Sequence, residues 1–170
     1  KQPRTKIKLL NREQVNQVLT SINNKTLKLM VKLGVLTGLR KAEILTFPLS
    51  YIVNPNSCNT RSHFKVDLNP NEMRIKGNEP RSIMVPVSLM SDLWDYSLHE
   101  RSGLIKGQDK PTDRLFVTRD GKAWSLKSKS FNNQLDSLGL DYKVHPHMLR
   151  HTFATHTLKD LEKRKKEGYF

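Results

Sequence analysis

Residues 37–44, TGLRKAEI, place an arginine where a helix is predicted to begin. Gly38 is expected to turn the chain, so that Arg40 lies in the first turn of a new helix. Backbone N–H groups and the helix dipole at such a position favour a bound phosphate, and a guanidinium beside them can hold it through paired hydrogen bonds. Glu43 is expected to steady Arg40 or its neighbour Lys41. The alternative interpretation is an ordinary solvent-exposed arginine at a helix start.

Residues 145–156, HPHMLRHTFATH, form the second cluster of residues whose types and spacing could support chemistry. On a helix, His147, Arg150, His151 and Ala154 share one face, whereas the apolar residues of the stretch point to another. This spacing places a cation and an acid–base group on one rigid element. The apolar face is expected to anchor that element in the core.

A metal site is the rival interpretation of the same histidines. His147 and His151 have the i, i+4 spacing of metal ligands, but no glutamate follows His147, so the HExxH pattern is absent. A zinc site built from three histidines remains an alternative. His156 is expected only to pack or cap near the helix end.

The first half of the chain contains the elements that must position Arg40. Asn11 and Gln14 have the spacing of a capping box, which predicts a helix to about Ile22. A second helix over 26–37 is apolar on nearly all sides, as in a buried helix, and Gly38 is a natural left-handed stop. A short helix is then predicted from residues 39–40 through Leu45, before Pro48.

The remainder alternates between short strands and helices. We predict a small antiparallel sheet of three strands, an isolated short strand, and three further helices, the last followed by a highly charged segment. The sheet strands are 63–68, 73–76 and 82–85, with a hairpin loop at 77–80; the isolated strand is 115–117; the helices are 88–101, 125–138 and 146–158; and the charged segment is 159–166. The fold class is therefore α+β, a mostly helical single domain with a small three-stranded antiparallel sheet.

The charge balance of the chain favours a polyanionic partner. The 170 residues include 30 Lys plus Arg and 16 Asp plus Glu, a formal net charge of +14. No apolar run approaches the roughly 18 residues that span a bilayer, and the densest basic run lacks an apolar face for a membrane surface. Nucleic acid is therefore the favoured partner. The single cysteine, Cys58, excludes an internal disulfide and fits a reducing compartment.

The two clusters resemble the two arginine boxes of the tyrosine recombinase (phage integrase) family. TGLRKAEIL and HPHMLRHTFATH occur in the family's order, and RIKGNEPRSIMVPV between them is similar to the family's lysine-bearing β-hairpin. The resemblance covers nearly the whole chain, from about Leu10 to Leu158. It implies a fold like the catalytic domain of that family.

The resemblance also implies site residues. Arg40 and Arg150 correspond to the first and second catalytic arginines, Lys76 to the hairpin lysine, and His147 to the histidine three residues before the second arginine. Glu43 and His151 correspond to supporting residues. The pattern departs from the family at Ile75, which replaces a glycine, and at Glu79-Pro80, which replaces a basic pair; Arg81 is therefore a basic alternative to Lys76.

The implied activity is site-specific cleavage and rejoining of double-stranded DNA through a 3′-phosphotyrosine, without metal, ATP or other cofactor. We expect residues 1–170 to form one catalytic domain, with the family's N-terminal DNA-clamping domain and its nucleophilic tyrosine outside this chain. Tyr169 is expected to be an ordinary residue, and this chain alone to be inactive and monomeric. The full-length protein is expected to act as a tetramer in a prokaryotic cytoplasm, at the nucleoid.

Three other functions stay open at this point. The chain could be a basic module that only binds DNA, a type IB topoisomerase, which shares the chemistry, or a metal-dependent nuclease that uses the histidines. Covalent attachment of protein to DNA, strand exchange between two sites, and sensitivity to EDTA separate these alternatives.

Overall fold

The structure, a computed structural model, describes residues 3–57, 59 and 62–168. Cys58 and Tyr169, about which the sequence made predictions, lie outside the described residues.

The first three helices agree closely with the sequence predictions. Helix α1 spans Arg12–Ser21 and begins with the predicted capping box, in which Asn11 and Gln14 exchange hydrogen bonds. Helix α2 spans Lys25–Thr37 and is buried along most of its length. Gly38 ends it in the left-handed conformation, with φ of 73°. Three residues, 38–40, separate α2 from helix α3, Lys41–Leu45.

The sheet has two strands in the described residues, and the prediction of a third strand was wrong. Strands β1, His63–Leu68, and β2, Arg81–Pro86, pair antiparallel. Residues 73–76 show the predicted alternation, since Met73 and Ile75 are buried. However, the Arg74 N–H donates to the side chain of Thr46 rather than to a strand, and a 3₁₀ turn begins at Lys76. The sequence of residues 73–76 therefore resembles a strand because alternate side chains are buried beside the end of a helix.

In the second half, the described residues form four helices, and the lengths of these helices differ from the predictions. The predicted helix 88–101 is divided at His99, the predicted helix 125–138 is shorter, and the last helix is longer because it includes the charged segment 159–166. The observed helices are α4, Val87–Leu98; α5, Glu100–Leu104; α6, Ser130–Asp136; and α7, Pro146–Lys166. The predicted strand at 115–117 is reduced to a single bridge between Val117 and Ala123.

One hydrophobic core joins the helices to the inner face of the sheet, and the packing of α2 against α7 positions the second cluster. The two helices approach closely at Gly34, where a Cβ would lie 3.2 Å from Leu149 Cδ1. Leu149 is fully buried in this contact between α2 and α7. The contact therefore positions Arg150, the next residue on α7. Across the described ranges, no helix combines the length and apolarity required to cross a bilayer.

Candidate functional site

Arg40 lies in the bend between α2 and α3, one residue before the helix whose first turn was predicted to contain it. It is the N-cap residue of α3, and its backbone N–H donates to Glu43 Oε1 at 2.9 Å. The side chain is about one third exposed, and its guanidinium lies 3.9 Å from Glu43 Oε2. Within residues 3–57, 59 and 62–168, no hydrogen bond uses that guanidinium. Its donors therefore face solvent and can bind an anion.

Arg150 comes to the same bend from α7. Its Nη1 donates to the carbonyl oxygen of Gly38 at 2.5 Å, although the two residues are 112 positions apart in the sequence. Burial lowers the pKa of Arg150, and the nearby positive charges of Arg40 and Arg81 lower it further. The charges of Arg40 and Arg81 thus lie close enough to Arg150 to repel it. A bound anion would relieve this repulsion.

Replacing Gly38 with alanine is expected to destabilise the fold strongly. The left-handed conformation costs a residue with a Cβ about 1–2 kcal/mol. In addition, the new Cβ would overlap the ring of Phe153 on α7, lying only 2.9 Å from Cε1, and overpacking of this kind typically costs about 1–3 kcal/mol. The midpoint of denaturant unfolding measures the combined loss.

Gly139 provides a matched control for that substitution. Its φ of 74° nearly equals that of Gly38, but nothing lies within 4 Å of the position of its Cβ. Gly139→Ala should therefore report the backbone strain alone. If the two alanine variants lost equal stability, the predicted close packing of Gly38 against Phe153 would be wrong.

Glu43 forms a buried ion pair that joins α3 to the sheet. Its side chain is 1% exposed, and Arg81 donates to both of its oxygens, at 2.5 and 2.7 Å. Burial alone would raise the pKa of Glu43, but hydrogen bonds from Arg81 and the Arg40 backbone, with the charges of both arginines, hold it below its usual range. Glu43 is therefore a carboxylate at neutral pH.

The sequence predicted Arg40 or Lys41 as the partner of Glu43 and missed Arg81 in that role. Arg40 does contribute its backbone N–H and a more distant charge. Lys41 instead donates to Ser128 O and Asn132 Oδ1, at 3.0 and 2.7 Å. The only sequence signal for Arg81 was a basic residue at the start of a strand. Its contact with Glu43 depends on tertiary structure.

Lys76 lies at the tip of the connection between β1 and β2, beside Arg40. The preceding residue, Ile75, is 2% exposed, whereas the side chain of Lys76 is exposed to solvent. Lys76 and Arg40 line the same cavity of about 410 Å³, together with Arg74, Gly77 and other residues of the turn. Since Arg81 is committed to Glu43, Lys76 is the better placed of the two basic candidates at this cavity.

The histidines of the second cluster lie together at the start of α7. The rings of His147 and His151 contact each other edge to face, with centroids 4.7 Å apart. His145 caps the helix through Nδ1, and burial, followed by the charges of His147 and His151, lowers its pKa. In the part of the chain that the structure describes, no group of three or more His, Cys, Asp or Glu side chains could hold a metal ion.

His156 lies further along α7, away from these histidines. It is half-buried and lines a groove with Val15, Leu36 and Phe153. This is a packing position between α1, α2 and α7. The geometry therefore gathers Arg40, Arg81, Arg150 and Lys76 around the α2–α3 bend, with His147 and His151 next to Arg150 on its own helix.

Comparison with known protein families gives one match over most of the chain. The model described as the Phage integrase family matches residues 8–161. Among curated proteins, the chain is similar to Tyrosine recombinase XerC of Roseiflexus sp. (strain RS-1), with 30% identity over 137 residues. That similarity covers 77% of this chain and 38% of the relative. The chain thus spans less than half the length of this relative.

Solved structures with the same fold include two recombinases. The chain matches the crystal structure of XerA recombinase with a TM-score of 0.69 and 21% identity, over 93% of this chain and 53% of that one. It matches the XerH site-specific recombinase bound to difH substrate with a TM-score of 0.63 and 22% identity, over 91% of this chain and 44% of that one. At these identities the matches establish a shared fold of helices and a small sheet.

Proposed function

The chain belongs to the phage integrase family, and we propose that it forms the DNA breaking and rejoining domain of a site-specific tyrosine recombinase. The observation that carries the proposal is the convergence of Arg40 and Arg150 on the Gly38 bend from distant parts of the sequence. A formal charge of +14 supports double-stranded DNA as the substrate. In the full-length protein, four copies assemble on two DNA sites.

The proposed reaction is an in-line transfer of a DNA phosphoryl group to a tyrosine outside residues 3–168. The tyrosine oxygen forms a bond to phosphorus, and the bond from phosphorus to the 5′-oxygen breaks. The products are a 3′-phosphotyrosine and a free 5′-hydroxyl. Attack by another 5′-hydroxyl reverses the step and rejoins strands, so that no ATP is consumed.

The two arginines are proposed to stabilise the phosphate as negative charge grows on its non-bridging oxygens. Fixed donors aimed at developing charge are among the strongest contributions to catalysis. Arg40 presents donors that no other group in the described residues uses, and Arg150 is held by the Gly38 carbonyl. With two guanidinium groups in this role, the reaction needs no metal ion.

Lys76 and His147 are proposed to handle protons. Lys76, across the shared cavity from Arg40, donates a proton to the departing 5′-oxygen. His147 accepts the proton of the tyrosine or donates a hydrogen bond to the phosphate, one helical turn from Arg150. His151 supports His147 through their ring contact, and Glu43 supports Arg40 through its backbone.

The proposal is tested with the full-length protein and a suicide substrate. This substrate is a nicked duplex from which the short fragment that carries the new 5′-hydroxyl diffuses away after cleavage. In buffer with EDTA, a denaturing gel should show protein covalently joined to the 3′ end of the cut strand. Cleavage without covalent attachment, or cleavage lost with EDTA, would contradict the proposal. Recombinant products from two-site DNA distinguish a recombinase from a topoisomerase, which would only relax supercoils.

Replacing Lys76 with alanine is expected to slow cleavage by about 10²–10⁴-fold, the usual contribution of general acid catalysis. The defect should largely disappear when the 5′-oxygen of the scissile bond is replaced by sulfur. A thiol has a pKa of about 8.5 and leaves as a thiolate without needing a proton. Single-turnover rates on the two substrates measure the difference.

The sulfur substrate also provides the control for this prediction. A lysine that only binds DNA contributes equally to both substrates, because its charge acts before either bond breaks. If Lys76→Ala slowed both reactions equally, Lys76 would be a DNA contact and not the proton donor.

A further inference from the structure

The connection between β1 and β2, residues 69–80 (the lysine loop), has a fastened base and an open tip. At its start, Tyr51 Oη accepts from the Asn69 N–H at 2.9 Å and donates to Glu72 Oε2 at 2.5 Å. Burial and the hydrogen bond to Glu72 raise the pKa of Tyr51 to about 12, so the phenol keeps its proton at neutral pH. At the tip, nothing lies within 4 Å of the Cβ position of Gly77.

Thr46, the residue that ends α3, provides the last polar contact before that open tip. Its hydroxyl donates to Ala42 O at 2.7 Å and accepts from the Arg74 N–H at 2.9 Å. The side chain is buried, with 6% exposure. Both functions of this hydroxyl are therefore used, one within α3 and one to the lysine loop.

Arg114 adds a further link between the end of α3 and the lysine loop. Its Nη1 donates to Thr46 O at 2.5 Å and to Glu72 O at 3.0 Å, so it bridges the end of α3 and the base of the lysine loop. The buried side chains of Met73 and Ile75 add an apolar attachment. Beyond Ile75, Lys76 is exposed and the chain turns back through the left-handed Gly77 and Asn78.

Helix α3 limits how far the segment that carries Lys76 can lie from Arg40. Helix α3 is five residues long, with Arg40 as its N-cap and Thr46 at its other end. The Arg74 amide that Thr46 holds is two residues before Lys76. A short helix therefore connects the backbone of Arg40 to the point from which the lysine tip extends.

We propose that Thr46 is a positioning residue for Lys76: its hydroxyl fixes the lysine loop to the helix that carries Arg40, so that the lysine reaches the departing oxygen. This inference rests on the proposed function. Thr46 touches no reacting atom and acts only through Lys76. Because a misplacement of about 1 Å can cost about 10²-fold in rate, loss of this one contact should be visible in the cleavage step.

The test uses Thr46→Val in the full-length protein. Valine keeps the shape of threonine but leaves the Arg74 N–H without its partner, and such a loss loosens the segment that carries the donor. Single-turnover cleavage of the ordinary DNA bond should slow by roughly 10- to 100-fold. Cleavage of the 5′-sulfur bond should remain within about threefold of the wild-type rate, because thiolate departure needs no proton. Thr46→Ser, which keeps the hydroxyl, should restore most of the ordinary rate.

Thr152→Val is the matched control. Thr152 is fully buried, and its Oγ1 accepts from the Leu10 N–H at 3.0 Å, so the variant loses the same kind of hydrogen bond away from the lysine loop. Any defect it causes should be equal on the oxygen and sulfur bonds. If Thr46→Val lowers the folded fraction, Tyr51→Phe, which loosens the start of the same loop, replaces it in the comparison.

A double variant gives an independent readout. In a Lys76→Ala background, Thr46→Val should cause little further loss, since a residue that acts through Lys76 has nothing left to position. The inference is overturned if Thr46→Val cleaves the ordinary bond at the wild-type rate, if it slows both bonds equally, or if its effect adds fully to that of Lys76→Ala. Wild-type protein that attaches to neither bond would instead overturn the proposed function.

Discussion

Replacing Arg150 with alanine in the full-length protein is expected to slow covalent attachment to a suicide substrate by about 10²–10³-fold, the usual cost of removing one donor to a developing negative charge. Arg150 is fixed by its bond to the Gly38 carbonyl and lies within reach of the charge of Arg40. The alanine variant leaves one arginine at the proposed phosphate site instead of two. Single-turnover kinetics at saturating protein measure the chemical step separately from DNA binding.

Three further variants show whether that loss of rate is specific to the proposed site. Arg164→Ala removes an exposed arginine from the same helix and should leave the cleavage rate near that of the wild type. Arg150→Lys keeps the charge but loses the planar pair of donors, so it should recover only part of the rate. Arg40→Ala should be as damaging as Arg150→Ala. Cleavage at the wild-type rate in either alanine variant would remove the basis for assigning a phosphate site to the Gly38 bend.

Arg81→Ala is expected to lower the free energy of unfolding by about 3 kcal/mol, the lower end of the range for breaking a buried ion pair. Glu43 is 1% exposed and would lose both of its side-chain hydrogen bonds from Arg81. The Arg40 N–H remains, and Arg81 is itself about one third exposed, so the lower end applies. Equilibrium urea unfolding at pH 7 measures the loss.

The same ion pair predicts a pH dependence of defined sign. The folded pKa of Glu43 is below its ordinary value, so the pair contributes its full stability above the ordinary carboxyl pKa of about 4.3. That contribution is lost as the pH falls through the lower, folded pKa. The stability difference between the wild type and Arg81→Ala should therefore be largest near neutral pH and shrink progressively below about pH 4.

An exposed ion pair in the same chain is the control. Arg12 and Asp160 lie 3.4 Å apart with side chains that are 81% and 58% exposed. Arg12→Ala should cost less than about 1 kcal/mol. Equal losses for Arg81→Ala and Arg12→Ala, or an Arg81→Ala deficit that persists undiminished at pH 3, would show that Glu43 is not held as a buried carboxylate.

The features that the sequence predicted correctly depend on neighbouring residues. The capping box of Asn11 and Gln14 and the left-handed stop at Gly38 are local in the chain, and both were found at the predicted residues. The family was recognised from two arginine boxes and the lysine-bearing hairpin between them, and the family comparison confirmed it. The roles assigned to Arg40, Lys76, His147 and Arg150 stay predictions.

The features that the sequence did not predict depend on contacts between distant segments. Residues 73–76 alternate like a strand because Met73 and Ile75 pack inward, but their backbone bonds to Thr46 instead of to a third strand. Nothing near Glu43 in the chain indicated Arg81, which is 38 positions away. Helix α7 continues through the charged segment because these residues favour a helix even where they do not pack.

The bond between Arg150 and the Gly38 carbonyl also determines how late in synthesis the bend between α2 and α3 is completed. During synthesis, Gly38 and Arg40 leave the ribosome long before Arg150, which is 112 positions after Gly38. A nascent chain therefore carries Arg40 while the bend still lacks its second arginine. Domains fold as units once their chain is available. Incomplete or misfolded copies thus lack the pair of arginines at this bend, and with it the part that the proposed function assigns to them.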